Sequence, residues 1–110
     1  MNLKAFPAGI VDWSELPASL HPGESGTATM RLRECGDIQL RLVDYSTAYI
    51  ADHWCHKGHI VFVVAGKLVI EHQNGRTYTL TAGTSYHVAD DNGVPHRVLS
   101  DEGATIFIVD

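Results

Sequence analysis

From Thr27 onward, apolar and polar residues alternate in short runs. Thr29-Met30-Arg31-Leu32-Arg33 alternates, and so does Gln39 to Tyr45, with Cys35-Gly36-Asp37 between them reading as a hairpin turn. Six further runs follow: Ile60 to Ala65, Lys67 to His72, Thr77 to Leu80, Thr84 to Ala89, His96 to Leu99 and Thr105 to Val109. They are separated by Gly66, Gln73-Asn74-Gly75, Ala82-Gly83, Asp90 to Pro95 and Asp101-Glu102-Gly103. Asn74-Gly75 is a strong two-residue turn signal, because both positions tolerate positive φ. About eight short strands with tight turns and no convincing helix predict one all-β domain, a sandwich or small barrel.

The segment before the strands reads differently. Residues 1–27 carry Pro7, Pro17, Pro22, Gly23 and Gly26, which break helices before they start. Asp12 to Leu16 allows one helical turn capped by Asp12 or Ser14. The expectation is an irregular N-terminal arm over 1–27 that packs on a barrel over 28–110 and buries Phe6, Ile10 and Trp13.

Composition narrows the function classes. The 110 residues suit one domain, and 45% hydrophobic with 19% charged residues is the balance of a globular chain rather than a disordered one. No apolar run is long enough to cross a bilayer as a helix. The N-terminus lacks the apolar core of a secretory signal, which leaves the cytoplasm as the expected compartment. Two cysteines are too few for a disulfide framework. With a net charge of −5 and scattered basic residues, neither nucleic acid nor an anionic membrane is an expected partner.

Seven histidines is a high count for this length, and they cluster. His53-Trp54-Cys55-His56-Lys57-Gly58-His59 concentrates the chemistry. In an extended strand His53 and Cys55 share a face, Gly58 permits a bend, and His59 can rejoin that face. His96 opens a later strand. Imidazole and thiolate donors suit a borderline divalent transition metal: zinc, iron, nickel, cobalt or manganese. His56 and Lys57 read as solvent-facing, His21 and His72 as surface residues, Trp54 as a core residue, and Asp52 as a loop or hydrogen-bonding residue.

This pattern resembles the cupin superfamily, a single double-stranded β-helix or jelly-roll barrel. His53-x-Cys55, three residues, His59, six residues and Gly66 fit the first cupin motif, with Cys55 at a histidine position and His59 at the glutamate position. Gly83 through Pro95-His96 resembles the second motif, with a longer turn at Asp91-Asn92-Gly93. Asp52-His53-Trp54-Cys55 is similar to small bacterial cupins named for an Asp-His-Cys-Trp motif. The resemblance covers about residues 40 to 110. It implies a metal inside the barrel held by His53, His59 and His96. If Cys55 also binds, the site is closed and favours structural zinc; if it stands off, positions stay open for water, oxygen or substrate.

In the cupin layout Tyr45, Tyr49, Tyr86 and Arg41 approach the metal region. Arg41 and Tyr45 are candidate substrate-binding residues for a small polar, carboxylate or sugar-like molecule, and Tyr86 and His87 are candidates for proton transfer. Arg31, Arg33 and Arg41 otherwise read as a solvated strand face. The expected function is a metal-dependent small-molecule cupin, with the metal as Lewis acid or oxygen activator. The alternative is a non-catalytic ligand-binding or sensory cupin whose metal is structural or absent. A homodimer is expected, because the strand Thr27 to Glu34 would otherwise leave an open edge.

Overall fold

The computed structural model describes Leu3, residues 5–90 and residues 94–110. Among the described residues, nine antiparallel strands follow a short 3-10 turn at Trp13–Glu15. They are β1 (Ser19–Pro22), β2 (Thr27–Cys35), β3 (Ile38–Tyr45), β4 (Tyr49–Ile50), β5 (His59–His72), β6 (Thr77–Thr81), β7 (Ser85–Val88), β8 (His96–Ser100) and β9 (Ala104–Val109). The expected all-β jelly-roll barrel is the observed fold. Its main path runs β1-β2-β3-β9-β5-β8-β4, with β6 and β7 also pairing with β5.

The two-residue loop Gly36-Asp37 closes the β2–β3 hairpin, with Cys35 opposite Ile38 and Gly36 at a φ of 62°. Gly75 likewise takes positive φ in the turn between β5 and β6, where its N–H donates to the His72 carbonyl. These turns form where the sequence places residues that tolerate left-handed backbone.

The strands expected at 60–65 and 67–72 are a single strand, β5. Its first half lies between β7 and β9, and its second half between β6 and β8, so it belongs to both sheets. A bulge between Val63 and Ala65 marks the crossing. Gly66 follows at a φ of 80°, where a Cβ would sit 2.3 Å from the Gly103 carbonyl oxygen. The bulge also changes parity: Val61 and Val63 face inward before it, and Leu68, Ile70 and His72 after it. The core gathers Val61, Val63, Leu68 and Ile70 with Val43, Leu80, Ile106 and Ile108. Each fully buried aliphatic side chain contributes roughly 1.5–3 kcal/mol.

The arm is more regular and less buried than its composition suggests. The Asp12 carboxylate accepts the Ser14 N–H and caps the turn at Trp13–Glu15, as expected. Trp13 meets Phe107 edge-on at 6.1 Å. Ile10, however, is 91% exposed and Phe6 is also exposed, so only Trp13 of the three packs. The arm then forms β1, which pairs with Thr27–Met30 of β2. That pairing covers half of the edge expected to be open, because prolines on either side of Ser19–His21 still leave donors free for a short ladder.

Candidate metal centre

Cys55 and His96 face each other through a two-bond backbone bridge, with Cys55 N–H donating to the His96 carbonyl at 2.7 Å and His96 N–H to the Cys55 carbonyl at 3.0 Å. This bridge ties the loop after β4 to the first residue of β8. His59 opens β5 and is brought beside them because Gly58 lets the chain pass against Asp90, where a Cβ would lie 2.5 Å from the Asp90 N. The Gly58 N–H donates to the Asp90 carboxylate at 2.6 Å.

One donor atom from each of Cys55, His59 and His96 lies within 4.8 Å of the others. Cys55 Sγ and His59 Nε2 are 3.3 Å apart. Two ligands of a tetrahedral zinc, at usual bond lengths, lie about 3.5 Å apart, so this pair already has the spacing of a shared ion. His96 is 3% exposed, and neither ring nitrogen reaches a partner in full hydrogen-bond geometry. The Val94 backbone offers this ring a hydrogen bond, which opposes the downward shift of its pKa. One backbone contact can serve only one of the two ring nitrogens, which leaves the other for a further partner.

Burial holds both imidazoles below their usual pKa. For His59, burial leads and the Asp110 carboxylate pulls the other way. For His96, burial is reinforced by His59. Both rings therefore favour the neutral form, which is the form that binds metal. A soft thiolate and two imidazoles are a donor set for a divalent transition metal. The residues fit one ion.

His53 is not brought into this group. Its side chain is 76% exposed and bonded to its neighbour, with Nδ1 2.7 Å from the Asp52 carboxylate. The expectation that it shares a face with Cys55 assumed a continuous strand. The backbone instead bends at Asp52 and His53, and although His53 borders the same interior cavity as Cys55, its ring turns to water and Asp52 rather than to the three donors.

A cupin domain model matches residues 42–110. The chain belongs to the cupin family. No curated protein matches the sequence. Among solved structures, a cupin-2 domain protein from Shewanella frigidimarina shares 26% identity at a TM-score of 0.60, covering 74% of this chain and 78% of its own. A predicted oxalate decarboxylase from Thermotoga maritima has a TM-score of 0.76 at 14% identity, covering 92% and 96%. HppE, solved with Fe(II) and an alternative substrate, has a TM-score of 0.75 at 16% identity, covering 94% of this chain and 60% of its own.

The cupin interior holds a cavity of about 240 Å³ next to the three donors. Arg41 and Tyr45 face it from β3 and Tyr86 from β7. Alternation along β3 explains Arg41: it shares the inner face of Val43 and Tyr45, while Arg31 on β2 turns outward and reaches Asp44 at 3.9 Å. Arg41 donates to the Asp110 carboxylate at 2.6 Å, which occupies one side of its guanidinium. Tyr45 and Tyr49 stack at 4.6 Å. Burial raises the Tyr45 phenol strongly, with Tyr49 adding to it and Arg41 opposing; burial and then Asp52 raise Tyr49; burial and then Tyr78 raise Tyr86. All three stay protonated at neutral pH and can donate.

His87 points away. It alternates with Tyr86 on β7, so when Tyr86 faces inward His87 is exposed on the outer wall. Trp54 is half-buried rather than a core residue, with the Arg97 guanidinium 4.6 Å above its ring. The turn residues Asp91, Asn92 and Gly93 of the second cupin motif lie outside the described residues.

Two residues with roles at the site were missed. His72, read as a surface residue, is buried, and its Nε2 lies 2.7 Å from the Tyr86 hydroxyl. Asp110 is 1% exposed at its side chain and contacts His59 Nδ1 at 2.9 Å. The signal was present in both cases. Leu68-x-Ile70-x-His72 and Ile106-x-Ile108-x-Asp110 each continue an inward alternation to a polar residue.

Proposed function

We propose that this cupin is a metal-dependent enzyme for a small polar molecule, with one divalent transition metal held by Cys55, His59 and His96. The observation that carries the reading is the convergence of the buried His96 imidazole, the Cys55 sulfur and a second imidazole beside the interior cavity. Three donors among the described residues leave room for a further ligand, which favours a working site over a closed structural one. When bound, the metal supplies a Lewis acid or, if iron, a centre for oxygen chemistry.

The chain's own residues do the rest. The cavity is smaller than a typical drug-sized pocket, which suits a small substrate. Tyr45 and Arg41 offer donors on one wall, which suits a carboxylate or a sugar-like hydroxyl group. Tyr86 is the residue placed to hold a proton at its hydroxyl, and His72 behind it accepts or returns that proton through the 2.7 Å contact. The likeness to a predicted oxalate decarboxylase and to a hydroxypropylphosphonic acid epoxidase puts small acids among the first substrates to test. The run Asp52-His53-Trp54-Cys55 supports reading the chain as a relative of the small cupins with an Asp-His-Cys-Trp motif. Two copies pairing through the outer face of β5, where Ile60, Phe62 and Val64 are exposed, belong to the same reading.

Elemental analysis of protein purified without a metal-affinity tag tests it, followed by Co(II) reconstitution and visible spectroscopy. One equivalent of metal, and cobalt bands that shift when small carboxylates are added, are expected. No metal even after reconstitution defeats the reading. Cobalt bands indifferent to every added acid would turn it toward a structural metal in a non-catalytic cupin.

A further inference from the structure

We propose that Asp110 is a positioning residue for the metal centre, fixing His59 in the tautomer and orientation in which Nε2 faces Cys55. This rests on the reading of Cys55, His59 and His96 as ligands. His59 Nδ1 lies 2.9 Å from Asp110 Oδ2, and His59 Nε2 lies 3.3 Å from Cys55 Sγ. An ionised carboxylate only accepts, so the proton sits on Nδ1 and the lone pair on Nε2. That lone pair points at the thiol sulfur. A histidine ligand whose other nitrogen donates to a carboxylate is thereby held in one rotation and made more basic.

Asp110 is itself over-determined. Its side chain is 1% exposed. Its N–H donates to the Gln39 carbonyl at 3.0 Å, and its carbonyl accepts from Gln39 N–H at 2.6 Å, which extends the β3–β9 ladder past Val109. Continuing the inward alternation of Ile106 and Ile108, the carboxylate can only point into the barrel. There Arg41 donates to the same Oδ2 at 2.6 Å, and Lys57 Nζ stands 3.9 Å from Oδ1. A buried carboxylate needs such a partner to be tolerated. Arg41 therefore serves the ligand set through Asp110, whatever it also does for substrate.

The test uses the full chain with Asp110→Asn and Asp110→Ala. In metal-free protein, nitrogen-15 NMR of the histidine side chains reads the His59 tautomer directly. The parent is expected to show Nδ1–H with Nε2 unprotonated. Asp110→Ala is expected to relax this to a mixture, and Asp110→Asn, which keeps the volume and one acceptor, to fall between. Co(II) affinity, measured by chelator competition, is expected to weaken by about 10–100-fold in Asp110→Ala. An unchanged tautomer, or Co(II) affinity within about twofold of a parent that binds it, overturns the role of Asp110 alone. A parent that binds no Co(II) overturns the metal reading, and this inference with it. A misfolded Asp110→Ala is recognised by its NMR dispersion, and Asp110→Asn then decides.

Discussion

The bend at Asp52–His53 and the first residue of β5 lie six positions apart, and each presents an imidazole beside a carboxylate. His53 meets Asp52, its chain neighbour, with both side chains mostly in water. His59 meets Asp110, fifty-one positions away, with both side chains nearly excluded from solvent. The first contact is local and would form in many conformations. The second exists only because β5 and β9 pair and both enclose the same cavity. An exposed pair of this kind adds little to stability, whereas a buried imidazole held by a distant carboxylate is fixed for a task. The difference teaches that a donor's rigidity comes from the ladder it sits on, not from the company it keeps in sequence.

Removing a donor from the rigid side should have the largest effect. His96→Ala is expected to weaken zinc or Co(II) binding by more than about 100-fold, beyond what loss of an outer hydrogen bond costs. Isothermal titration of the folded variant reads this, and parent-like binding would remove His96 from the ligand set.

The shared geometry of β5 can be attacked next. Gly66→Ala should cost about 1–3 kcal/mol for the left-handed backbone alone, and more for the contact with the Gly103 carbonyl. Urea unfolding of the metal-free protein measures it. A neutral result would mean that the crossing of β5 between sheets is softer than its packing indicates.

A smaller effect separates the two imidazoles by pH. Burial lowers the folded pKa of His59 and His96, so between the usual value near 6.5 and those lower values the unfolded chain binds protons that the folded chain refuses. Stability of the metal-free protein should therefore hold above about pH 6.5 and fall as pH drops below it, levelling once both rings are charged in the folded state. Thermal melts across pH 5 to 8 check the direction, and a His59→Gln, His96→Gln double variant should flatten the slope. His53→Ala is the smallest case, with a change within about 0.5 kcal/mol in melts at either end of that range. It should also retain metal, and loss of metal in this variant would bring the bend back into the site.

Much of the cupin was legible because its rules are local. Period-two alternation and the turns at Gly36-Asp37, Asn74-Gly75 and Asp101 to Gly103 set out the strands, and Cys55, His59 and His96 stood out as donors. What failed was judging a residue by its immediate neighbours. His53 was counted with the ligands although its side chain turns to water, His72 was read as a surface residue because it borders a hairpin turn, and His87 was favoured over its inward neighbour's partner. Asp110 was passed over because nothing nearby in sequence shows what an aspartate at that position would meet.

The sequence by itself determined which residues alternate, where the chain turns, and which side chains can bind a metal, since these depend on each residue and its immediate neighbours. Only the tertiary structure decided that Cys55 and His96 are bridged, that His59 is backed by Asp110 and Arg41, and that His72 stands behind Tyr86. Those contacts follow from ladder register and from a single bulge in β5, and register is fixed by the packing of the whole barrel rather than by any one strand.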